Sequence, residues 1–585
     1  MRPTLFVFCF GVALCGLFSC AKSPGSSNGN GNGNGNGNGN TGGDTVITPP
    51  VDPAVSPTVG FFLNDWKAKT FTDPSTTPGT VGPSAYTDEL TIDISKVLTK
   101  VSPYVYGNNS NLWMGQIVTQ ASLMGYIKDL SPNVIRAPAG SVSDIYFWNQ
   151  TAAAPADAPA NIYSNGTVGA AGYWFGGNTG TWTLDLTNYY ALQAAAKATG
   201  VITVNYGYAR YGTSADPVAA AAHLAADWVR YDAGRSKFWE IGNETYGNWE
   251  AGYQIDTTQN KDGQPEFVTG DLYGRHVKVF VDSMRAAAQE VGSTIYIGAF
   301  LEDGPPYQGA YTSLVTWNQG VLSEAGSVVD FFIVHDYFTP YNDNTSAATI
   351  LATGTAVPAS AMTYLTQQLT QYGVSEKPIA LTEWNIQAVD SKQDVSYIAG
   401  MHAVKALGAI IKNHFGEASR WDLANAWNNG DDQGMFNVGD EPSVPQWNPR
   451  PSFFYLYYFQ QLFGDRMVSD TLNASNADLT TYSSSFTSGQ AGTIVVNSGT
   501  TTHTLAINFR NFAAGSQYYW YVLTGGTDNG DFSGQVFVNG TAPTNATGGP
   551  LNYASIKAYS APLTGTIYLT VPARSVIYLV ADKKS

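Results

Sequence analysis

Glu244 and Glu383 are the residues best placed to do chemistry. Each ends an apolar run of strand-like composition, Phe238-Trp239-Glu240-Ile241-Gly242-Asn243-Glu244 and Pro378-Ile379-Ala380-Leu381-Thr382-Glu383-Trp384-Asn385. A carboxyl group in such a run is costly unless it is paired or used. Two carboxyls brought together at one strand-end mouth suit cleavage of a glycosidic bond. One protonates the leaving oxygen, and the other attacks or activates water.

The surrounding elements must supply that mouth. Eight apolar runs, at 104–108, 133–136, 202–208, 237–244, 294–300, 331–338, 378–385 and 420–427, alternate with helical patterns. Asp216 can cap and Pro217 open one helix that stops before Gly234, and Val277, Phe280, Met284, Ala287, Ala288 and Val291 recur at helical spacing before Gly292. The stretches 394–415 and 451–463 supply the last two helices. This alternation predicts an α/β chain with a (β/α)8 TIM barrel, in which strand C-termini converge on the active face. A long insertion, 141–185, carries Trp148, Trp174 and Trp182 and is a candidate wall of the site.

Beyond residue 464 the texture changes to short β-rich runs at 493–498, 503–509, 517–523, 535–538, 566–571 and 575–581. They predict a C-terminal antiparallel β-sandwich domain over 464–585, which residues 87–97 could join. The catalytic barrel is assigned to 59–463. Residues 1–20 read as an export signal whose Leu17-Phe18-Ser19-Cys20 resembles a lipobox, making Cys20 the expected lipidation site. An Asn-Gly repeat and a Pro/Thr stretch over 21–58 read as a disordered tether. The expectation is therefore an exported lipoprotein of the bacterial outer membrane, held to the membrane through its lipid alone.

Three cysteines, all within the first 20 residues, leave the folded part without disulfides or cysteine chemistry. A net charge of -16 repels phosphate backbones and argues against nucleic acid as a partner. No His pair stands at metal spacing and no EF-hand-like loop occurs, so neither a catalytic metal nor a cofactor is expected.

With these residues in view, the chain resembles the clan A retaining glycoside hydrolases, and among them the arabinofuranosidase-type enzymes. The resemblance rests on Asn243-Glu244, on Glu383-Trp384-Asn385, on Arg136-Ala137-Pro138-Ala139-Gly140 and on Val101 through Asn108. The chain departs from that pattern at Ala139, at Thr382 and at Thr245-Tyr246-Gly247. The resemblance implies Glu244 as acid/base, Glu383 as nucleophile, Asn243 as partner of the sugar 2-hydroxyl and Arg136 as support for the nucleophile. Asn108, at the end of the first strand, is a further substrate-binding candidate. Tyr337 could hydrogen-bond Glu383. His335 is either a substrate contact or a structural histidine, and Trp384 and Trp427 are sugar platforms or core. Glu240, four residues before Glu244, reads as paired inside the barrel.

The substrate class that follows is a plant or algal polysaccharide or its oligosaccharides. Arabinofuranosidase-like exo action competes with an endo-glycanase whose open cleft is lined by Trp148, Trp174, Trp249 and Trp317. A non-catalytic carbohydrate-binding surface lipoprotein is the alternative from another class.

Overall fold

In the computed structural model, residues 47–339, 344–389 and 391–584 are described. Eight parallel strands close into a barrel: Gly107–Asn109, Val134–Ala137, Thr199–Val204, Phe238–Ile241, Tyr296–Phe300, Phe331–Tyr337, Ile379–Asn385 and Glu417–Arg420. They are called barrel strands one to eight below. Between them run helices such as Pro217–Asp232, where the Asp216 carboxylate accepts from the Ala219 N–H and Pro217 opens the first turn.

Three strands differ from their expected positions. Residues 103–105 form a 3-10 turn, so strand one starts at Gly107. Strand three ends at Val204, and Gly207–Tyr211 is a short helix. Strand eight is Glu417–Arg420 rather than 420–427, because its register against strands seven and one is set by Ala380, Leu381 and Gly107. Its residues Glu417 and Ser419 are polar, which hides it from a reading based on apolar runs.

The lower end of the barrel is plugged by aromatics that precede it in the chain. The Phe61 ring stacks on Tyr296 at 3.8 Å, and Phe62 packs on Phe238 at 4.9 Å. A Cβ on Gly416 would lie 2.2 Å from the Phe62 ring, so that approach requires glycine. The upper end is left to the loops that carry chemistry.

The C-terminal strands form one eleven-stranded sheet, not a purely antiparallel one. The strand Asp88–Lys100 enters it, antiparallel to Arg466–Asn473 and parallel to His503–Arg510. Alternation explains the insertion: Leu90, Ile92 and Ile94 point into the sheet's apolar core. Arg466–Asn473 and Leu479–Ser485 add strands beyond the expected set, since their serines, threonines and asparagines weaken the apolar pattern.

The expected tether is too long at its C-terminal end. Asp52 forms a paired salt bridge with Arg466 at 2.5 Å and meets Lys100 at 3.1 Å, so residues from 47 onward lie on the body. The expected signal segment, Cys20 and the Asn-Gly repeat lie outside the described residues. Among the described residues no helix is long and apolar enough to cross a membrane.

Candidate active site

Strand four delivers Glu244 through a sharp turn. Gly242 sits at φ +76°, where a Cβ would lie 2.6 Å from the Thr245 hydroxyl and 2.8 Å from Tyr206 Cβ. Glycine therefore lets the chain turn, and Glu244, itself at φ +38°, is carried over the mouth. On strand seven, Thr382 is an extra residue: the register against strand six steps from Val334–Leu381 to His335–Glu383. Such a bulge re-aims side chains. It brings both the Thr382 hydroxyl and the Glu383 carboxyl against His335, at 3.1 and 3.7 Å.

The two carboxyls meet there. An oxygen of Glu244, an oxygen of Glu383 and Nδ1 of His335 all lie within 4.8 Å of one another. Glu383 accepts from the Tyr337 hydroxyl and from Nη1 of Arg136 at 3.0 Å. Glu244 accepts from the Trp249 indole N–H at 3.0 Å and lies 3.0 Å from His335 Nδ1.

Arg136 is fully buried at the centre of this array. It also donates to Glu240 at 2.6 Å, to Asn109 at 3.0 Å and to Asn243 at 2.8 Å. A guanidinium presents several donors in a fixed fork, which suits a site where four acceptors must be held at once. Asn243 has both ends of its amide engaged, since its NH2 donates to Glu250 at 2.8 Å.

Burial is the largest influence on both glutamates and raises both carboxyls above the ordinary range. Direct donors separate them. Glu383 carries two, one of them cationic, and these favour its carboxylate. Glu244 carries one neutral donor. Burial also drives His335 down to about 4, so the imidazole is neutral near pH 7 and can accept the Glu244 proton or donate to its carboxylate.

The trio of Glu244, His335 and Glu383 has the spacing of a metal site. Arg136, however, already presents positive charge 3.0 Å from Glu383, and a divalent ion would add to it.

Three candidates from the sequence lie elsewhere. Trp384 is 2 % exposed and stacks on Phe338, between barrel and helices, because the residue after Glu383 faces outward. Asn108 likewise shares a small outward cavity with Trp384 and Leu456, while its neighbour Asn109 faces Arg136. Trp427 lies seven residues beyond the end of strand eight, stacked with the Arg450 guanidinium at 5.1 Å and beside the loop residues Asp528, Gly534, Ala546 and Thr547. Of the expected cleft tryptophans, Trp317 is fully buried and Trp148 stacks on Trp228. Trp249 is at the site.

Several functional residues escape a reading of the sequence. Asp144, inside the long insertion, accepts the backbone N–H groups of Tyr206, Gly207 and Asn243 and so fixes the loops after strands three and four. Burial pushes it up to about 7. Glu250 accepts from Ser141 and Asn243, and burial raises it far above a normal glutamate. Its place six residues after Glu244 is the signal the sequence offers. Trp421, directly after strand eight, lies against Gly140 across the mouth, where a Cβ on that glycine would be 2.9 Å from the indole.

No family model and no curated protein matches the chain. Solved structures do. The alpha-L-arabinofuranosidase of Thermotoga maritima aligns at 18% identity and TM-score 0.58, covering 84% of this chain and 99% of its own. CelM2, a bifunctional glucanase-xylanase from a metagenome library, aligns at 14% identity and TM-score 0.57, covering 85% and 99%. A xyloglucanase of glycoside hydrolase family 44 from Paenibacillus polymyxa aligns at 12% identity and TM-score 0.54, covering 85% and 100%. At these identities the likeness is one of fold alone, a TIM barrel with an appended β domain.

Proposed function

We propose that the chain is a retaining glycoside hydrolase that cuts a plant or algal polysaccharide or its oligosaccharides. One observation carries the reading: carboxyl oxygens of Glu244 and Glu383 lie within 4.8 Å of each other at the C-terminal end of the barrel. Retaining enzymes hold their carboxyls about 5–5.5 Å apart, whereas inverting ones leave room for water.

The Glu383 carboxylate attacks the anomeric carbon and forms a glycosyl ester as the glycosidic C–O bond breaks. Glu244 gives its proton to the departing oxygen. A water then loses a proton to the Glu244 carboxylate and adds to the anomeric carbon, and Glu383 leaves as carboxylate. Tyr337 and Arg136 hold Glu383 in line and lower its basicity until it attacks. The sheet formed by residues 464–584 with the strand Asp88–Lys100 acts as a sandwich-like buttress, supported by an apolar cluster drawn from strands at both ends of its order. The chain is exported and anchored through lipid on Cys20, a reading supported by its lipobox-like sequence.

Glu383→Gln is the test. Hydrolysis of a polysaccharide and aryl-glycoside panel by the wild type, lost in the variant, supports the reading, while survival in the variant removes the nucleophile. Wild-type binding of sugars without hydrolysis favours the non-catalytic alternative. An endo mode is favoured by the 43% exposure of Trp249 next to Glu244, and oligosaccharide ladders among the products distinguish it from exo release of monosaccharide. Cys20→Ala moving the protein from the membrane to the soluble fraction tests the anchor.

A further inference from the structure

Where the barrel packs against the sheet, two cations sit with no acid to meet them. Lys405 lies on the helix Tyr397–Lys412, between strands seven and eight, and is only 5% exposed. Its ammonium donates one hydrogen bond, to the Ser498 hydroxyl at 3.0 Å, just past the sheet strand Ala491–Asn497. Arg574 directly precedes the last strand, Ser575–Lys583, and its backbone N–H donates to the Gly499 carbonyl at 3.0 Å. The two cations are thus fastened to successive residues of one turn. Nε and Nη1 of Arg574 are buried and have no hydrogen-bond partner.

Elsewhere in this chain buried arginines meet carboxylates directly, Arg136 with Glu240 and Glu383, and Arg450 with Asp432. Among the described residues Lys405 and Arg574 have no such partner. Burial lowers Lys405 to about 8 and raises Tyr397, and the Arg574 charge lowers both. Tyr397 and Lys405 are about two turns apart on one helix, so the guanidinium lies along it. His402, three residues before Lys405, faces Thr353 at 3.2 Å and is kept neutral by burial. The Tyr455 hydroxyl, beside the same helix where Gly400 abuts its ring, is buried without a partner too. The unsatisfied atoms gathered here are all able to donate.

We propose that Lys405 and Arg574 bind a small inorganic anion, of the size and charge of chloride, between the barrel helix and the sheet. A buried cation without a counter-charge is costly, and a second cation nearby adds repulsion. One monovalent anion offsets both and can accept from several donors at once. The burial of Lys405 leaves no room for a sugar acid. The ion would hold the helix that follows the Glu383 strand to the turn 498–499 of the sheet. This site stands apart from the barrel mouth and does not rest on the hydrolase reading.

Thermal unfolding of the whole protein tests this, at constant ionic strength with chloride exchanged for the bulkier methanesulfonate. The wild-type Tm should rise by about 1 °C for each tenfold of chloride above its Kd. Lys405→Met and Arg574→Met keep an unbranched stem and remove one buried charge each, a change that folded proteins tolerate. Their Tm should not respond to chloride. A flat wild-type Tm overturns the proposal. So does an equal rise in all three proteins, which is ordinary screening. A second measurement needs no variant: wild-type crystals grown in bromide should show an anomalous peak in contact with Lys405 Nζ and the Arg574 guanidinium. No peak at that place overturns the proposal whatever the variants do.

Discussion

The Tyr337 hydroxyl donates to Oε1 of Glu383, from the same strand that carries His335 to Glu244. One strand thus touches both members of the pair, through residues two apart that share the inner face. Strand six therefore contacts both carboxyls from one face.

Removing the Tyr337 hydroxyl takes away a donor that favours the Glu383 carboxylate. Tyr337→Phe should raise the pKa of Glu383, moving the acidic limb of the kcat/KM profile to higher pH. A loss of kcat of about tenfold or more accompanies it. A profile that falls in height without moving along the pH axis would assign Tyr337 to shape alone.

Glu244→Gln keeps the shape of the acid and removes its proton. Substrates with poor leaving groups, such as natural oligosaccharides, should lose about 10²–10⁴-fold in kcat. Those with activated aryl leaving groups should lose much less, because their departure needs little protonation. Equal losses across a leaving-group series would place the acid elsewhere.

Trp384 follows the nucleophile, yet it fills the space between barrel and helices. Trp384→Ala should cost about 3–5 kcal/mol of stability through the cavity it leaves. Chemical denaturation measures this. A stable variant with weakened substrate binding would return Trp384 to the sugar site.

The buried acids predict a stability that falls as pH rises near neutrality. Burial raises Asp144 and Asp432 to about 7, and Glu250 and Asp422 well above their ordinary range. In the unfolded chain each ionises near pH ~4. Above that, the folded protein keeps protons that the unfolded chain has released, so each group costs ~1.4 kcal/mol per pH unit until its folded value is passed. The buried His276, His335 and His402, at about 3 to 4 when folded, act in the opposite sense, but only up to about pH 6.5. Lys69 and Lys405, lowered to about 8 by burial, act mainly above that. Between pH 6.5 and 8 the acids dominate, and Tm should drop by several degrees. A flat or rising Tm across that window, followed by calorimetry, contradicts the buried-acid account.

Strands four to seven are legible because a fully buried parallel strand must be apolar on both faces, and their runs of Phe, Ile, Leu and Val show it. Glu240, Glu244 and Glu383 stand out against that background. Strand eight does not, since Glu417 and Ser419 point into a barrel interior that is charged around Arg136. With the expected strand end seven residues too late, Trp427 takes the position in sequence that Trp421 occupies in space.

Residue order by itself determined the strand-end glutamates and the helices with strong caps, because apolar periodicity and capping are local properties of the chain. Which side of a strand each neighbour faces was decided by the tertiary structure. The Thr382 bulge and the Gly242 turn interrupt regular alternation around Glu383 and Glu244, while Trp384 and Asn108 face away from the mouth. Partnership across distance was also decided there. Asp144 and Glu250 acquire their roles from Asn243, Ser141 and the loss of water around them, and burial is a property of the assembled fold that no single segment contains.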